Sequence, residues 1–486
     1  MSTTSQSGRG AGTEPIVIEV PAECKELVAP IRALLAATRQ AQRSSRGTRA
    51  VDYGAVEEAM SARAADVERA GHAAILRRLE VDAPKVTIAG ETYSRVGRAP
   101  GTYRTLVGAV QFDRAIYRKD GVRNAPIIDS IALRTGAIGR GWLPRTAQAI
   151  AHLVQLGTSR EAQAVAQQTG RLPYSRASLE RVAHKVGAEW VRHHAEIEDA
   201  MIEAFAVPEE SASISVALDR VSVPMEEPRA RPPGRPRRDA PKRPVSRCFR
   251  MAYCGTVTLH DRNGESLRTL RFGCMSASDP TLLCEDMASH VYAIREKRPD
   301  LRITLLADGA HEMWSLLVGA FPRDLFGKVD SIIDFWHLLE KLSPAAAVLC
   351  CGDADVAAKR KVWRTELRRS ASAAASILDE LLDSGRRRTL VNGQYPVHEA
   401  ITYLENNLAR MNYASALRRK TPIGSGNVEA TCKTLFAVRM KRAGSRWKTD
   451  TGEHIVRLRA VALSDNWDEA MQRLQARRRT PVRRAA

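Results

Sequence analysis

Between Ser213 and Asp334 the apolar residues switch between strand and helix spacing in a fixed succession, and few folds accommodate that succession. The run Ser213 to Leu218 reads as a buried strand and stops on Asp219. Met251 to His260 and Ser266 to Gly273 read as two more strands, joined through the turn residues Asp261-Arg262-Asn263-Gly264. A helix is predicted from Thr281 to Arg298. The strand from Leu301 then stops on Asp308-Gly309, and after another helix Val329 to Ile333 leads into Asp334.

This order of three strands, helix, strand, helix, strand, helix is that of the RNase H fold, an α/β arrangement whose first and fourth strands lie side by side. Strands about 4.8 Å apart bring two carboxylates close enough to share a hard cation, which makes Asp219 and Asp308 candidate metal ligands. A third carboxylate from a later helix completes a site for two ions roughly 3.5–4 Å apart, one activating an attacking oxygen and one stabilising a leaving oxygen. Glu429 is the candidate, because Ser425 or Asn427 in Pro422-Ile-Gly-Ser-Gly-Asn-Val-Glu429 can cap a helix running through Arg439. Each acid alone also reads as an ordinary turn or cap residue.

The remaining chain divides by pattern. Residues 1–20 read as a mobile polar tail, and 21–140 as a helical segment followed by a β-meander broken at Gly90, Gly97, Pro100 and Gly101. Three helical stretches in 141–205 form either a helix-turn-helix presenting Arg181 and Lys185 to a major groove, or a small bundle packed on the next domain. The catalytic domain is expected to take 210–337 and 421–462, with an α-helical insertion over 338–420 and a basic tail over 463–486. Lys359, Arg360, Lys361, Arg364, Arg368 and Arg369 in the insertion read either as phosphate contacts or as a solvated face. A Pro-rich basic loop, 228–247, contains Gly234-Arg235-Pro236-Arg237-Arg238. It is similar to an AT-hook for a narrow minor groove, and reads equally as a plain basic loop.

With 486 residues, 44% of them hydrophobic, the chain can fill several cores. Its net charge of +20 favours a polyanionic partner, nucleic acid first, although ribosome-associated and membrane-surface proteins share that trait. The eight cysteines form no C-x2-C pair, which argues against a zinc ribbon and for reduced thiols. No secretory signal or spanning segment is legible, so a cytoplasmic location without membrane association is expected.

Four segments together resemble a known family: Asp219 after an apolar strand, Leu305-Leu-Ala-Asp308-Gly, Asp334-Phe-Trp-His337 and Gly424-Ser-Gly-Asn-Val-Glu429-Ala. They resemble bacterial insertion-sequence DDE transposases, particularly the IS-Kra group. The likeness extends through Arg439-Met-Lys-Arg-Ala-Gly-Ser-Arg-Trp447 and back to Tyr103–Tyr117 and Thr158-Ser-Arg-Glu161. The resemblance implies that Asp219, Asp308 and Glu429 are the catalytic triad holding two Mg2+ or Mn2+ ions. It also implies double-stranded DNA as substrate, at least a protein pair on that DNA, and a nucleoid-associated bacterial protein.

Asp334-x-x-His337 resembles the C/D-x-x-H signature of Mutator-like relatives. There the imidazole suits a general acid or a phosphate donor, against the plain alternative of a helix cap. Lys433, Arg439, Lys441, Arg442 and Arg446 are expected to hold the DNA backbone, and Trp447 either stacks on a base or packs in the core. Arg220, where the family often has glycine, raises the expectation of a crowded metal site. A structure-specific nuclease and a catalytically inactive DNA-binding derivative of a transposase are the competing readings.

Overall fold

The computed structural model describes residues 19–46, 48–228, 234, 245–275 and 278–485. Arg235, Arg237, Arg238 and most of the expected N-terminal tail lie outside the described residues. The chain is mixed α/β and forms two compact units: 1–146 with 166–173 and 480–486, and 147–165 with 174–479.

In the first unit, α1 (Val28–Ser44) and α2 (Tyr53–Arg78) precede the antiparallel strands β1 (Lys85–Ile88), β2 (Glu91–Thr105) and β3 (Gly108–Lys119) and the short α3 (Ser130–Thr135). The sheet's fourth strand is Val482–Arg484, paired antiparallel with β1, so Val482 shares a core with Val86, Ala115 and Tyr117. The solvated basic tail expected from 463 onward is therefore wrong. Its apolar residues fall at helical and strand spacing among the arginines, and burying them outweighs the charge density.

The second unit begins with α4 (Pro144–Leu156), α5 (Ser159–Gln168) and α6 (Arg176–Ala204). Its sheet comprises β4 (Ser213–Pro228), β5 (Val245–His260), β6 (Ser266–Cys274), β7 (Arg302–Ala307) and β8 (Val329–Ile333), in spatial order β6-β5-β4-β7-β8. The first three are antiparallel, while β7 and β8 run parallel to β4. Helices α7 (Pro280–Lys297), α8 (His311–Ala320) and the one-turn α9 (Arg323–Phe326) make the crossovers.

Two glycines reveal how the sheet is covered. A Cβ on Gly255 would meet Met287 of α7, whereas one on Gly273 would meet Leu435 and Val456. Since Gly255 pairs with Phe272 and Cys254 with Gly273, the strand alternation assigns these layers to opposite faces. Asp219 pairs with Cys254 and so lies on the Leu435 face. The strand does not end at Asp219 as expected. It continues through Pro228 because β5 is equally long and Trp447 braces the extension, donating its backbone N–H to Pro224 and accepting from Glu226.

The segment 338–420 is helical as expected: α10 (Phe335–Leu349), α11 (Asp353–Arg369), α12 (Ala373–Asp383), α13 (Pro396–Asn407) and α14 (Tyr413–Arg418). After it come α15 (Gly426–Thr431), a π-helical stretch (Cys432–Ala437), α16 (Val438–Met440), α17 (Thr449–Leu463) and α18 (Trp467–Arg478).

Helix α6 is 29 residues long and buries Leu179, Val182, Val186 and Trp190. It packs on α17 so closely that a Cβ on Gly187 would stand 2.5 Å from the Cβ of His454 and 3.0 Å from its Cα. Arg181 stays exposed on α6 and Lys185 is half-buried.

Gly187→Ala gains up to about 1 kcal/mol of helix propensity but incurs an overpacking cost of about 1–3 kcal/mol, since backbone as well as side chain must move. A net loss of about 1–2 kcal/mol is expected in urea unfolding. Gly319→Ala in α8, where a Cβ meets nothing within 4 Å, is expected to be neutral or stabilising in the same measurement.

Candidate active site

The β4–β7 register ends at Ala217 opposite Leu306, so two residues further on Asp219 and Asp308 emerge from neighbouring strands. Asp219 is half-buried, accepts its neighbour Arg220's backbone N–H at 2.7 Å, and receives the Cys432 thiol at 3.4 Å. Contact with the Cys254 thiol, burial and the Asp219 charge push the Cys432 pKa up, so this sulfur is a neutral donor. Asp308 uses one oxygen to cap the Ala310 N–H at 2.9 Å. Gly309 is required beside it: any Cβ would stand 2.2 Å from the ring of Tyr403, a phenol whose pKa is raised by burial and by the Asp308 and Asp334 charges.

The expected crowding by Arg220 does not occur. Its guanidinium pairs with Glu312, which also accepts the Tyr253 hydroxyl. Among the described residues no cation pairs with the Asp219 or Asp308 carboxylate, which suits ligands for an external one.

Glu429 lies in the first turn of α15 with its side chain 48% exposed. Ser425 occupies the N-cap position but makes no side-chain cap. Its hydroxyl instead donates to Asp334 at 2.8 Å, with a longer contact of 3.3 Å to Glu429. Asn427 reaches Thr258 on β5 at 3.3 Å. The π-helical stretch that follows Glu429 was not legible in the sequence; such bulges recur at functional sites because they re-aim the side chains around them.

Asp334 has no solvent exposure, and its two oxygens are fully engaged. One accepts the His337 N–H at 2.7 Å and lies 3.2 Å from His337 Nδ1; the other takes the Ser425 N–H and hydroxyl. Asp334 is thus itself the N-cap of α10, and His337 is not. Burial opposes its ionisation, but the hydrogen bonds from His337 and Ser425 hold its pKa down to about 2. His337 is raised to about 9 by the close approach of its ring to Asp334 and, against burial, by the Asp334 and Glu429 charges. Its Nδ1 lies 3.6 Å from Glu429.

Among the described residues, two groups of three have ligand atoms all within 4.8 Å: Asp334, His337 and Glu429, and, apart from this site, His194, Glu198 and Asp286. Neither includes Asp219 or Asp308, so the expected triad does not converge on one point. A pair of ions would not need such convergence, since different carboxylates would hold each ion.

The expected DNA-contacting cations differ in availability. Lys433, Lys441 and Arg446 are exposed. Arg442 is engaged bidentately by Glu161 at 2.6 and 2.7 Å. Arg439 is a correction: it is 6% exposed, lies over the Trp447 ring, and donates to the Val154 carbonyl at 3.2 Å. Burial, with Arg459 and Arg442 nearby, lowers its pKa to about 10. Arg459 binds the next carbonyl, Gln155, at 2.9 Å, so both guanidinia satisfy the open C-terminus of α4. Trp447 is in the core, donating its indole N–H to Met440.

In the metal-free protein His337 is expected to titrate near 9 by NMR, and Asp334→Asn to return it towards the ordinary 6.5. His337's stabilising contribution is complete below 6.5 and is lost as pH rises through 9, whereas that of Asp334 is complete above 3.8 and is lost as pH falls through 2. An unshifted His337 in the variant would remove Asp334 as the cause. Comparison with protein-family models, curated proteins and solved structures gives no match to this chain.

Proposed function

We propose that the chain is a metal-dependent DDE transposase of the insertion-sequence type, acting on double-stranded DNA in the bacterial cytoplasm through an RNase H-like core. The observation that carries this reading is the β4–β7 register, which sends Asp219 and Asp308 out of adjacent parallel strands at the centre of a β6-β5-β4-β7-β8 sheet. Glu429 comes from a helix after the helical segment 338–420, read as the insertion, and the Cys432 thiol that touches Asp219 is one turn beyond it.

Asp219, Asp308 and Glu429 are hard oxygen donors, and the first two pair with no cation among the described residues, which fits Mg2+ or Mn2+ better than a thiophilic ion. Bound as a pair, such ions supply Lewis acidity to the attacking and leaving oxygens of a phosphodiester. The chain's own groups do the rest. Protonated His337, 37% exposed beside Glu429, donates to a phosphate oxygen or to the departing 3′-oxygen. Exposed Lys433, Lys441 and Arg446 hold the strand by its phosphates. Asp334 and Ser425 position His337 and Glu429 and touch no substrate. Cleavage frees a 3′-hydroxyl that attacks the target phosphodiester directly, with no covalent enzyme intermediate. Joining two ends calls for at least two copies of the chain.

Purified protein with Mg2+ or Mn2+ and labelled element-end DNA is expected to give joined products. Asp219→Ala, Asp308→Ala and Glu429→Ala should each reduce them by about three orders of magnitude, equivalent to ~4 kcal/mol of transition-state stabilisation. Metal-dependent cleavage without joining would favour a structure-specific nuclease. Binding without any chemistry would favour an inactive DNA-binding derivative.

A further inference from the structure

Strand β6 is an edge of the five-stranded sheet, with α7 covering one face, α17 the other, and α6 packed on both helices. There α6 carries His194 and Glu198 one turn apart, with His194 Nδ1 3.1 Å from a Glu198 oxygen, and α7 brings Asp286 to them. Taking one ligand atom from each, the three lie within 4.8 Å of one another. A His–Glu pair at this spacing is by itself an ordinary helix contact. A third ligand group arriving from a separate helix is not a consequence of that spacing. The three side chains are 14, 20 and 21% exposed, open enough for an ion to enter and too enclosed for water alone to solvate the carboxylates.

Protein cations do not balance the cluster. Arg457 on α17 lies 3.2 Å from Asp286 but is shared with Glu453 at 2.8 Å. Among the described residues Glu198 pairs only with His194. Glu198, Asp286 and Glu453 thus have one guanidinium between them, an excess of two negative charges when His194 is neutral. Burial accordingly pushes the Asp286 carboxyl pKa up even beside Arg457.

A second observation points to the same place. Glu198 lines a hollow of about 150 Å³ together with Trp190, Phe272 and His290. Trp190 is fully buried, and its indole N–H meets no acceptor among the described residues. His290 commits Nδ1 to the Asp286 carbonyl at 2.8 Å, so in the neutral ring Nε2 is left as an acceptor. The hollow has room for several waters at about 30 Å³ each, and its walls offer a donor and an acceptor for them.

We propose that His194, Glu198 and Asp286 bind a structural Zn2+ ion whose fourth ligand is a water in this hollow. The donor set selects the ion: one imidazole with two carboxylates suits zinc, whereas magnesium and calcium take oxygen ligands. A tetrahedral ion with bonds of about 2.0–2.2 Å keeps its ligand atoms roughly 3.4 Å apart, near the spacing His194 and Glu198 already hold, so the approach of Asp286 is the main adjustment. Arg457 then serves as the outer partner that orients Asp286. The ion ties α6 to α7 where β6 has no further strand to pair with. It shares no residue with the candidate active site and does not depend on the DNA-processing reading.

The test strips the full chain with EDTA, removes the chelator, and titrates with Zn2+ against a chromophoric chelator, with Co2+ followed in parallel by visible absorption. The wild type is expected to bind one equivalent of Zn2+ with a Kd below about 1 µM. Co2+ in its place should show the intense visible bands of a four-coordinate ion. His194→Gln and Glu198→Gln keep size and polarity but remove a donor, and each should weaken this equivalent about 100-fold or more. Zn2+ at about 100 times Kd should raise the wild-type unfolding midpoint by about 3 °C and leave both variants where they melt in EDTA. Glu429→Ala, in the separate acidic site, should keep the tight equivalent. No tight equivalent in the wild type, its retention in either glutamine variant, or its loss in Glu429→Ala would overturn the proposal. Strand-joining activity bears on none of these outcomes, so this inference and the transposase reading stand or fall separately.

Discussion

The candidate site is organised around a carboxylate that no solvent reaches. Asp334 caps α10, holds the His337 ring and ties down the Ser425 loop that begins the Glu429 helix, joining segments far apart in the chain. Each bond satisfies a group that burial would otherwise leave unpaired, and together they keep the carboxylate ionised in a low-dielectric setting. Removing one partner of such a network costs more than the bond itself, because the remaining charge is then buried without compensation. The geometry of Glu429 and His337 is therefore a by-product of solvating Asp334 from within the protein.

A formal charge of +20 overstates what the surface offers a polyanion. Arg439 and Arg459 are consumed at the carbonyl end of α4, Arg457 lies between Glu453 and Asp286, and Arg442 is neutralised by Glu161. The cations left free near the acids are fewer and more localised than composition suggests. Affinity for a polyanion accordingly depends on where those few lie, and its salt dependence reports their number and not the net charge.

The sheet was legible because its strands contain apolar runs bounded by clear turn residues, and the two acids were legible because each follows such a run. The α-helical segment 338–420 was legible from its leucine and valine spacing. What escaped has physical reasons. Asp219 looked terminal because nothing local signals that β5 matches β4 residue for residue beyond it. Tyr403 against Gly309, Cys432 against Asp219 and Ser425 against Asp334 are contacts across long sequence separations, and no spacing rule encodes them. Arg439 carried the same local signal as its exposed neighbours Lys441 and Arg446, and only tertiary packing separates a capping arginine from a phosphate ligand.

The strand Val482–Arg484 completes a sheet whose other members lie in the first quarter of the chain. During synthesis, at about 5–20 residues per second, β1 waits on the order of tens of seconds with one edge unpaired before its partner leaves the ribosome. Throughout that interval the edge can template other strands, including those of a neighbouring nascent copy. The first unit thus cannot mature as an independent early product. Its closure reports that every carboxylate of the candidate site has already been made.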